Sequence, residues 1–333
     1  MSRRNRLLRV VRQVLSLGDD TAGRTVTGGV WLSVSNVTDR VLQLVVIVFL
    51  ARLLDPAAFG LFGIALVTQS ALTRLTKLGL DIALIQHRDE NVDAYLDTVW
   101  TLEILRGFGL GAVLFLAAPL VSTAFGEPQV TDLLRVLALK PVLHGLKNPA
   151  VLYLLKELEF DRHVLFTLSG RLFYVPVAIG YGYLARSVWA LIFAIIAAEL
   201  TRVAVSYLIQ PYRPHLHIDR TAADEMITYG KWIFGSEALM FLINEGDDAF
   251  VGLFLGAPAL GIYQLSYQFS NAPATEITQP IQQAVLPAYS TIQDNVDALR
   301  QAYMLSVQTI TLLSFPASLG IIVVAPLFVS GVL

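Results

Sequence analysis

The chain has 333 residues, of which 55% are hydrophobic and only 15% charged. Soluble domains run nearer 45–50% apolar and about 25% charged, so this balance, with a mean hydropathy of +0.61, excludes an ordinary soluble enzyme and a disordered chain. A net charge of −2 gives no pull on nucleic acid, and the absence of cysteine excludes disulfides and Cys-ligated metal centres.

The first 27 residues carry Arg3, Arg4, Arg6, Arg9, Arg12 and Arg24 and have no apolar core of signal-peptide length. They read as a basic cytoplasmic tail, with Leu7, Leu8, Val11 and Leu15 able to share one face of an interfacial helix. Nine apolar stretches follow, at about 28–50, 59–84, 98–122, 131–155, 163–184, 188–209, 228–254, 259–286 and 301–325. Each approaches the roughly 20 residues that a spanning helix needs. They do not alternate as barrel strands do, and backbone in lipid must satisfy itself internally, so helices are expected. The connecting loops are short and leave no room for a separate catalytic domain.

Lysine and arginine placement sets the orientation. With the N-terminus inside, the cytoplasmic segments hold the tail arginines, Arg88, Lys156, Arg162, Arg213, Arg220 and Arg300. The outer loops hold only Arg52 and Arg186.

Two stretches resemble each other. Leu54-Asp55-Pro56-Ala57-Ala58-Phe59-Gly60-Leu61-Phe62 recurs 201 positions later as Leu255-Gly256-Ala257-Pro258-Ala259-Leu260-Gly261-Ile262-Tyr263. Ala118-Pro119-Leu120 recurs 207 positions later as Ala325-Pro326-Leu327. Spans one to three therefore match spans seven to nine in the same orientation, a parallel repeat of six-helix units. The expected division is a tail at 1–27, a first six-helix lobe at 28–212 and an incomplete second lobe of about three helices at 213–333.

Charges inside a membrane are costly, so each is a functional candidate. The first six spans hold Arg40, Arg74, Lys77, Arg106, Arg135, Lys140, Lys147, Arg171 and Arg202 against Asp39, Asp81, Glu103 and Glu199. The later spans hold Lys231 against Glu237, Glu245, Asp247, Asp248 and Glu276. Helical spacing places Arg74, Lys77 and Asp81 on one face, Lys140, His144 and Lys147 on another, and Glu237, Asn244 and Asp248 on a third. The functional reading is a cationic cavity for an anionic substrate, since Arg grips phosphate as a fork and Lys as a point charge. Its expected residues are Arg40, Arg74, Lys77, Lys140, Lys147 and Arg171. The acidic group Glu237, Asn244, Asp247 and Asp248 would hold a coupling cation, Na⁺ or H⁺; no other cofactor and no catalytic residue is expected. The competing reading is structural pairing of Lys77 with Asp81, Arg106 with Glu103 and Arg202 with Glu199. Gly107 and Gly111, four apart, read as a close-packing motif.

Several motifs then stand in a particular order: Ala51-Arg52-Leu53-Leu54-Asp55-Pro56 with Phe59-Gly60-Leu61; Gly79-Leu80 with Ala83-Leu84-Ile85-Gln86; Val188-Trp189-Ala190-Leu191; Tyr212-Arg213-Pro214; Phe254-Leu255-Gly256-Ala257 with Leu260-Gly261 and Tyr263; and Leu286-Pro287-Ala288-Tyr289-Ser290. In these the chain resembles the polysaccharide-transporter branch of the multidrug/oligosaccharidyl-lipid/polysaccharide exporter superfamily, the Wzx-type lipid-linked oligosaccharide flippases near the colanic and teichuronic acid exporters. The resemblance implies two six-helix lobes across a central cavity, alternating access by rocking, and a polyprenyl-diphosphate glycan moved from the inner to the outer leaflet of the cytoplasmic membrane. It also implies a lipid setting and polysaccharide assembly proteins as partners. Two alternatives stand beside it. One is a multidrug or organic-cation antiporter of the same superfamily, which calls for an acidic or neutral aromatic site. The other is a membrane glycan polymerase or ligase, which calls for a large outer loop.

Overall fold

The computed structural model describes residues 21–76, 92–157, 159–271, 273–278, 281–282, 285, 289 and 295–331. Among them every regular element is helical. In chain order these are α1 (Thr21–Ala51), α2 (Pro56–Arg74), α3 (Val92–Phe125), α4 (Val130–Leu137), α5 (Leu139–Gly145), a 3₁₀ turn (Pro149–Leu152), α6 (Tyr153–Lys156), α7 (Phe160–Ala185), α8 (Trp189–Ile209), α9 (Arg220–Leu255), α10 (Ala257–Ser270), a π-helical turn (Ala274–Thr278) and α11 (Val296–Gly331). The chain is a polytopic all-α membrane bundle. Among the described residues, six segments are long and apolar enough to cross a bilayer: Val34–Ala51, Pro56–Arg74, Leu96–Phe125, Phe160–Ala185, Trp189–Ile209 and Val296–Leu327.

The other three expected spans differ for identifiable reasons. The stretch expected as one span at 131–155 is broken. Pro141 has no N–H for the carbonyl four residues back, and the helix slips at Ala138, between α4 and α5. Asn148 then turns extended (φ −67°, ψ 117°) before Pro149, and its side chain accepts from Ala150 N to start the 3₁₀ turn. The stretch expected at 259–286 is interrupted: α10 ends at Ser270, and Pro273 precedes the π-helical turn. The third, α9, is longer than expected but carries Glu237, Glu245, Asp247 and Asp248, too much charge for an apolar span. The first helix starts at Thr21, inside the segment read as tail.

Packing follows from the small and apolar positions. In α4, Val130, Leu133, Leu134 and Leu137 stand at i, i+3, i+4 and i+7 and are buried, while Asp132 and Arg135 point away. They join Ile64, Leu114, Ala118 and Ile192 in a core shared by α2, α3, α4 and α8. These leucines hold the helices together by close van der Waals packing, since lipid tails are as apolar as Leu. A second cluster joins Val46 and Leu50 of α1 to Phe59, Ala178 and Leu191. The Gly107/Gly111 motif does what its spacing implies. A Cβ at Gly107 would lie 2.5 Å from Pro141 O and one at Gly111 2.8 Å from Ala138 O, so α3 lies directly on the backbone of α4 and α5.

The two repeated motifs meet. A Cβ on Gly60 would overlap the carbonyl oxygen of Ala257, and one on Gly261 would overlap that of Pro56. A shift of 201 positions turns the first contact into the second, which is the reciprocity a two-fold axis produces. The helix starts differ, however. Asp55 precedes α2 with φ −67°, whereas Gly256 precedes α10 at φ 83°, a conformation that glycine adopts without strain.

A strap joins the early and late parts of the chain. Residues 210–219 run without regular structure beside the start of α3. Asp97 Oδ1 accepts from the Tyr212 hydroxyl at 2.6 Å and from His215 N at 2.7 Å. Further along, His217 N donates to Thr101 Oγ1 and Asp219 N to Thr98 Oγ1. The alternate N–H groups of the strap thus find acceptors on one face of α3. Asp97→Ala removes two of these bonds and is expected to cost about 2 kcal/mol, read as a lower unfolding temperature in detergent. Arg186 offers the opposite case. It ends α7 at φ 45° and ψ 46°, where a side chain costs about 1 kcal/mol. Arg186→Gly is expected to raise the unfolding temperature by a degree or more.

Candidate functional site

Two adjoining cavities lie between the early and late helices. The first, about 560 Å³, is lined by α2 (Leu66, Val67, Gln69, Ser70, Thr73, Arg74), by Lys140 of α5, by Glu237, Glu245 and Asp248 of α9, and by Gln264 of α10. The second, about 380 Å³, shares Leu66, Asp248 and Gln264 with it and adds Arg40 and Gln43, Arg171 and Tyr174, Tyr267 and Gln268. Polar residues face inward because the helices present them at helical spacing. Gln69 and Thr73 stand four apart on one stripe of α2, and Gln264 and Gln268 on another of α10.

The charges are arranged as pairs. Arg74 reaches across from α2 to α9. Its Nε lies 3.1 Å from Glu245 Oε1 and its Nη1 3.3 Å from Glu237 Oε2. Glu237 and Glu245 stand about two turns apart on α9, and their side chains converge on the one guanidinium. Arg171 grips Asp39 of α1 bidentately, at 2.6 and 2.8 Å, and its guanidinium lies 5.1 Å over the Tyr174 ring. Arg40 donates to Gln43 Oε1 at 3.2 Å and to Gln268 O at 3.4 Å. Lys140 Nζ donates to Gln69 Oε1 at 2.7 Å. Asp248 accepts from Gln264 Nε2 at 3.0 Å.

Of the residues the sequence singled out, Arg40, Arg74, Lys140, Arg171, Glu237 and Asp248 line these cavities. Lys147 does not; its ammonium lies 2.8 Å from His144 Nδ1, beyond the end of α5. Asn244 is exposed, its amide on Met240 O. Asp247 is exposed and accepts from the Tyr263 hydroxyl at 2.6 Å. Lys77 and Asp81 lie outside the described residues. The expected structural pairs Glu103–Arg106 and Glu199–Arg202 are both present, at 3.1 and 2.9 Å.

One expectation changes. The first cavity is not uniformly cationic, because Glu237, Glu245 and Asp248 share its wall with Arg74 and Lys140. Adding up charge span by span cannot show this, since the acids of the later helices face the bases of the earlier ones across the space. The sequence also gave no separate place to Gln69, Gln264 or Tyr174. Glu245 was visible only as one more acid, eight positions after Glu237.

The model of one protein family, described as polysaccharide biosynthesis protein, matches residues 49–333. The chain belongs to that family. Among curated proteins it is 27% identical over 314 residues to the lipopolysaccharide biosynthesis protein WzxC of Escherichia coli, covering 92% of this chain and 62% of that one. It is 25% identical to the succinoglycan biosynthesis transport protein ExoT of Rhizobium meliloti, covering 90% and 60%. To the teichuronic acid biosynthesis protein TuaB of Bacillus subtilis it is 24% identical, covering 92% and 64%. The chain thus spans a little under two thirds of these relatives' length. No solved structure matches it. Family membership and the apolar helices together make this a multi-pass membrane protein of the polysaccharide biosynthesis family.

Proposed function

We propose that the whole protein is a flippase that moves a polyprenyl-diphosphate-linked oligosaccharide from the inner to the outer leaflet of the cytoplasmic membrane, and that it is not an enzyme. One observation carries this reading. Arg74 bridges the two walls of a cavity that Lys140 also lines, with Arg40 and Arg171 in the adjoining space. A diphosphate is a better partner for a guanidinium fork than two separate carboxylates. On entry it displaces Glu237 and Glu245 from Arg74, and the wall-to-wall link opens. The freed carboxylates then take up a cation, Na⁺ or H⁺, which ties the acidic residues to the same cycle. Domains at 28–212 and 213–333 rock about the crossing of α2 and α10, the N-terminus lies in the cytoplasm, and assembly proteins receive the glycan outside.

The direction is favourable. An anion leaving a cell that is negative inside gains about 2.3 kcal/mol per charge per 100 mV. The named roles of the relatives in lipopolysaccharide, succinoglycan and teichuronic acid synthesis support the substrate class.

The test is made in cells depleted of the full-length protein. Intact diphosphate-linked glycan should accumulate on the cytoplasmic leaflet as surface polysaccharide falls, and mass spectrometry would name the glycan. A second reading, an organic-cation antiporter, draws on the three carboxylates and on Tyr174 and Tyr267. It predicts unchanged surface glycan and new sensitivity to cationic compounds.

A further inference from the structure

Behind the first, central cavity lies a third space, a polar chamber of about 240 Å³ lined by α2, α3, α5 and α8. Gln69, Thr73 and Lys140 line both spaces and so form the partition between them. On the far side stands Glu199 of α8, only 4% exposed. Its Oε1 accepts from Arg202 Nη1 at 2.9 Å. Its Oε2 is buried and has no hydrogen-bond partner. Buried polar atoms are nearly always paired, so this oxygen marks a seat for a donor.

The donors around the chamber differ in what they are free to do. Arg106 is fully committed, to Glu103 through Nη1, to Thr76 O through Nε at 2.9 Å and to Thr73 O through Nη2 at 3.1 Å. It holds carbonyls at and just beyond the end of α2. Arg202 already serves the other oxygen of Glu199. His144 is engaged with Lys147 at 2.8 Å. Lys140 is different. Its ammonium carries three donors on a four-carbon stem, and among the described residues its one side-chain bond is to Gln69 Oε1, at 2.7 Å on the partition.

We propose that Lys140 has two seats, Gln69 Oε1 facing the central cavity and Glu199 Oε2 inside the chamber, and that an anionic head group in the cavity draws it to the first. Glu199 is then a positioning residue that acts on substrate through Lys140. The inference rests on the reading of the central cavity as a diphosphate site. Its physical basis is competition. A carboxylate and a diphosphate on opposite sides of a thin polar wall contend for one mobile cation. The outcome reports cavity occupancy to α8, because Glu199 is also the partner of Arg202. A ligand can shift such an equilibrium only by the difference in its affinity for the two states, and an anion has a large difference here, since only one seat lets the ammonium touch it.

The experiment uses the full-length protein in lipid nanodiscs, with farnesyl diphosphate as probe. The first readout needs no ligand. The rate at which an amine-specific reagent modifies Lys140, followed by mass spectrometry, is expected to rise about fivefold in Glu199→Gln, the effect of losing one charge-assisted bond. The second readout is affinity. Glu199→Gln is expected to bind farnesyl diphosphate about fivefold more tightly, because nothing competes for the ammonium, and this gain is expected to vanish in a Lys140→Met background. A purely structural Glu199 would weaken binding and show no such coupling. Should Glu199→Gln fail to fold, Gln69→Leu removes the other seat and is expected to move both readouts the opposite way. Equal modification rates in wild type and variant overturn the two-seat proposal. Absence of any farnesyl diphosphate binding by wild type overturns the diphosphate reading of the cavity instead, and the modification rates still decide the seats.

Discussion

Arg74→Ala is expected to abolish transport while the full-length protein is still made. Arg74 is the one described cation that touches acids on α9 and lines the first cavity from α2. Its removal has two effects of different size. On stability the loss is modest, because the Arg74 side chain is 34% exposed and such pairs are screened by solvent. The repulsion left between Glu237 and Glu245 is eased by their freedom to move apart along α9. On transport the loss is large. A bidentate charge-assisted contact to phosphate contributes about 2–3 kcal/mol, so its removal costs on the order of 100-fold in the step that uses it. Arg74→Lys keeps the charge and loses the fork, and is expected to fall between. Lys147→Ala is the useful contrast, since its ammonium acts on His144 and not on the cavity wall. The measurement is surface polysaccharide in a deletion strain complemented with each variant, with membrane expression followed by blot. Wild-type polysaccharide from normally expressed Arg74→Ala would remove Arg74 from the mechanism.

The parts of the fold legible in the sequence are those set by local rules. Long apolar runs gave α1, α3, α7, α8 and α11 because a helix is the only way to satisfy their backbone in lipid. The Gly107/Gly111 spacing gave the close packing of α3 on α4 and α5 because a missing side chain acts at the same place in any bundle. Glu103–Arg106 and Glu199–Arg202 were legible for the same reason, being three residues apart on one helix. What depended on distant partners was not legible. Glu237, Asn244, Asp247 and Asp248 read as a separate cation site, with no sign that Arg74, 163 positions away, holds Glu237 together with Glu245. Arg171 read as a free substrate cation, yet it grips Asp39 across 132 positions. The break near Ala138 was signalled by Pro141, but the length of the apolar run outweighed it.

The pairings also recast what the buried charges do. A cation held by a carboxylate is an exchangeable partner, and exchange is what a carrier needs. Binding too firmly to a fixed cationic wall would trap the substrate, whereas a wall whose carboxylates can return to Arg74 and Arg171 provides the competing ligand that releases it. In the proposed flippase the acids are therefore part of the anion's path.

The second large effect is expected at the crossing of α2 and α10. Gly60→Leu should prevent assembly of the two helices, because the first added atom already overlaps the Ala257 carbonyl oxygen and lies against its backbone. Backbone cannot swing aside as a side chain can, so the helices must separate. Separation exposes Ala257 and Leu260, which are 1% and 0% exposed and belong to the same core as Ile64 and Leu134. Overpacking of this kind costs about 1–3 kcal/mol where neighbours can yield, and more where they are main chain. Gly261→Leu should have a matching effect, since its Cβ meets Pro56 O in the two-fold-related contact. Gly109→Leu is the control. It lies two positions from Gly107 on α3, where an added Cβ meets nothing within 4 Å. The measurement is unfolding temperature and detergent-soluble yield of each full-length variant. Loss of both in Gly60→Leu and Gly261→Leu, with Gly109→Leu unchanged, would establish the crossing as the point where the two repeated motifs are joined. Normal stability in Gly60→Leu would mean that α2 and α10 do not approach as described, and with that the shared cavity walls formed by Arg74, Glu237 and Glu245 would also fall.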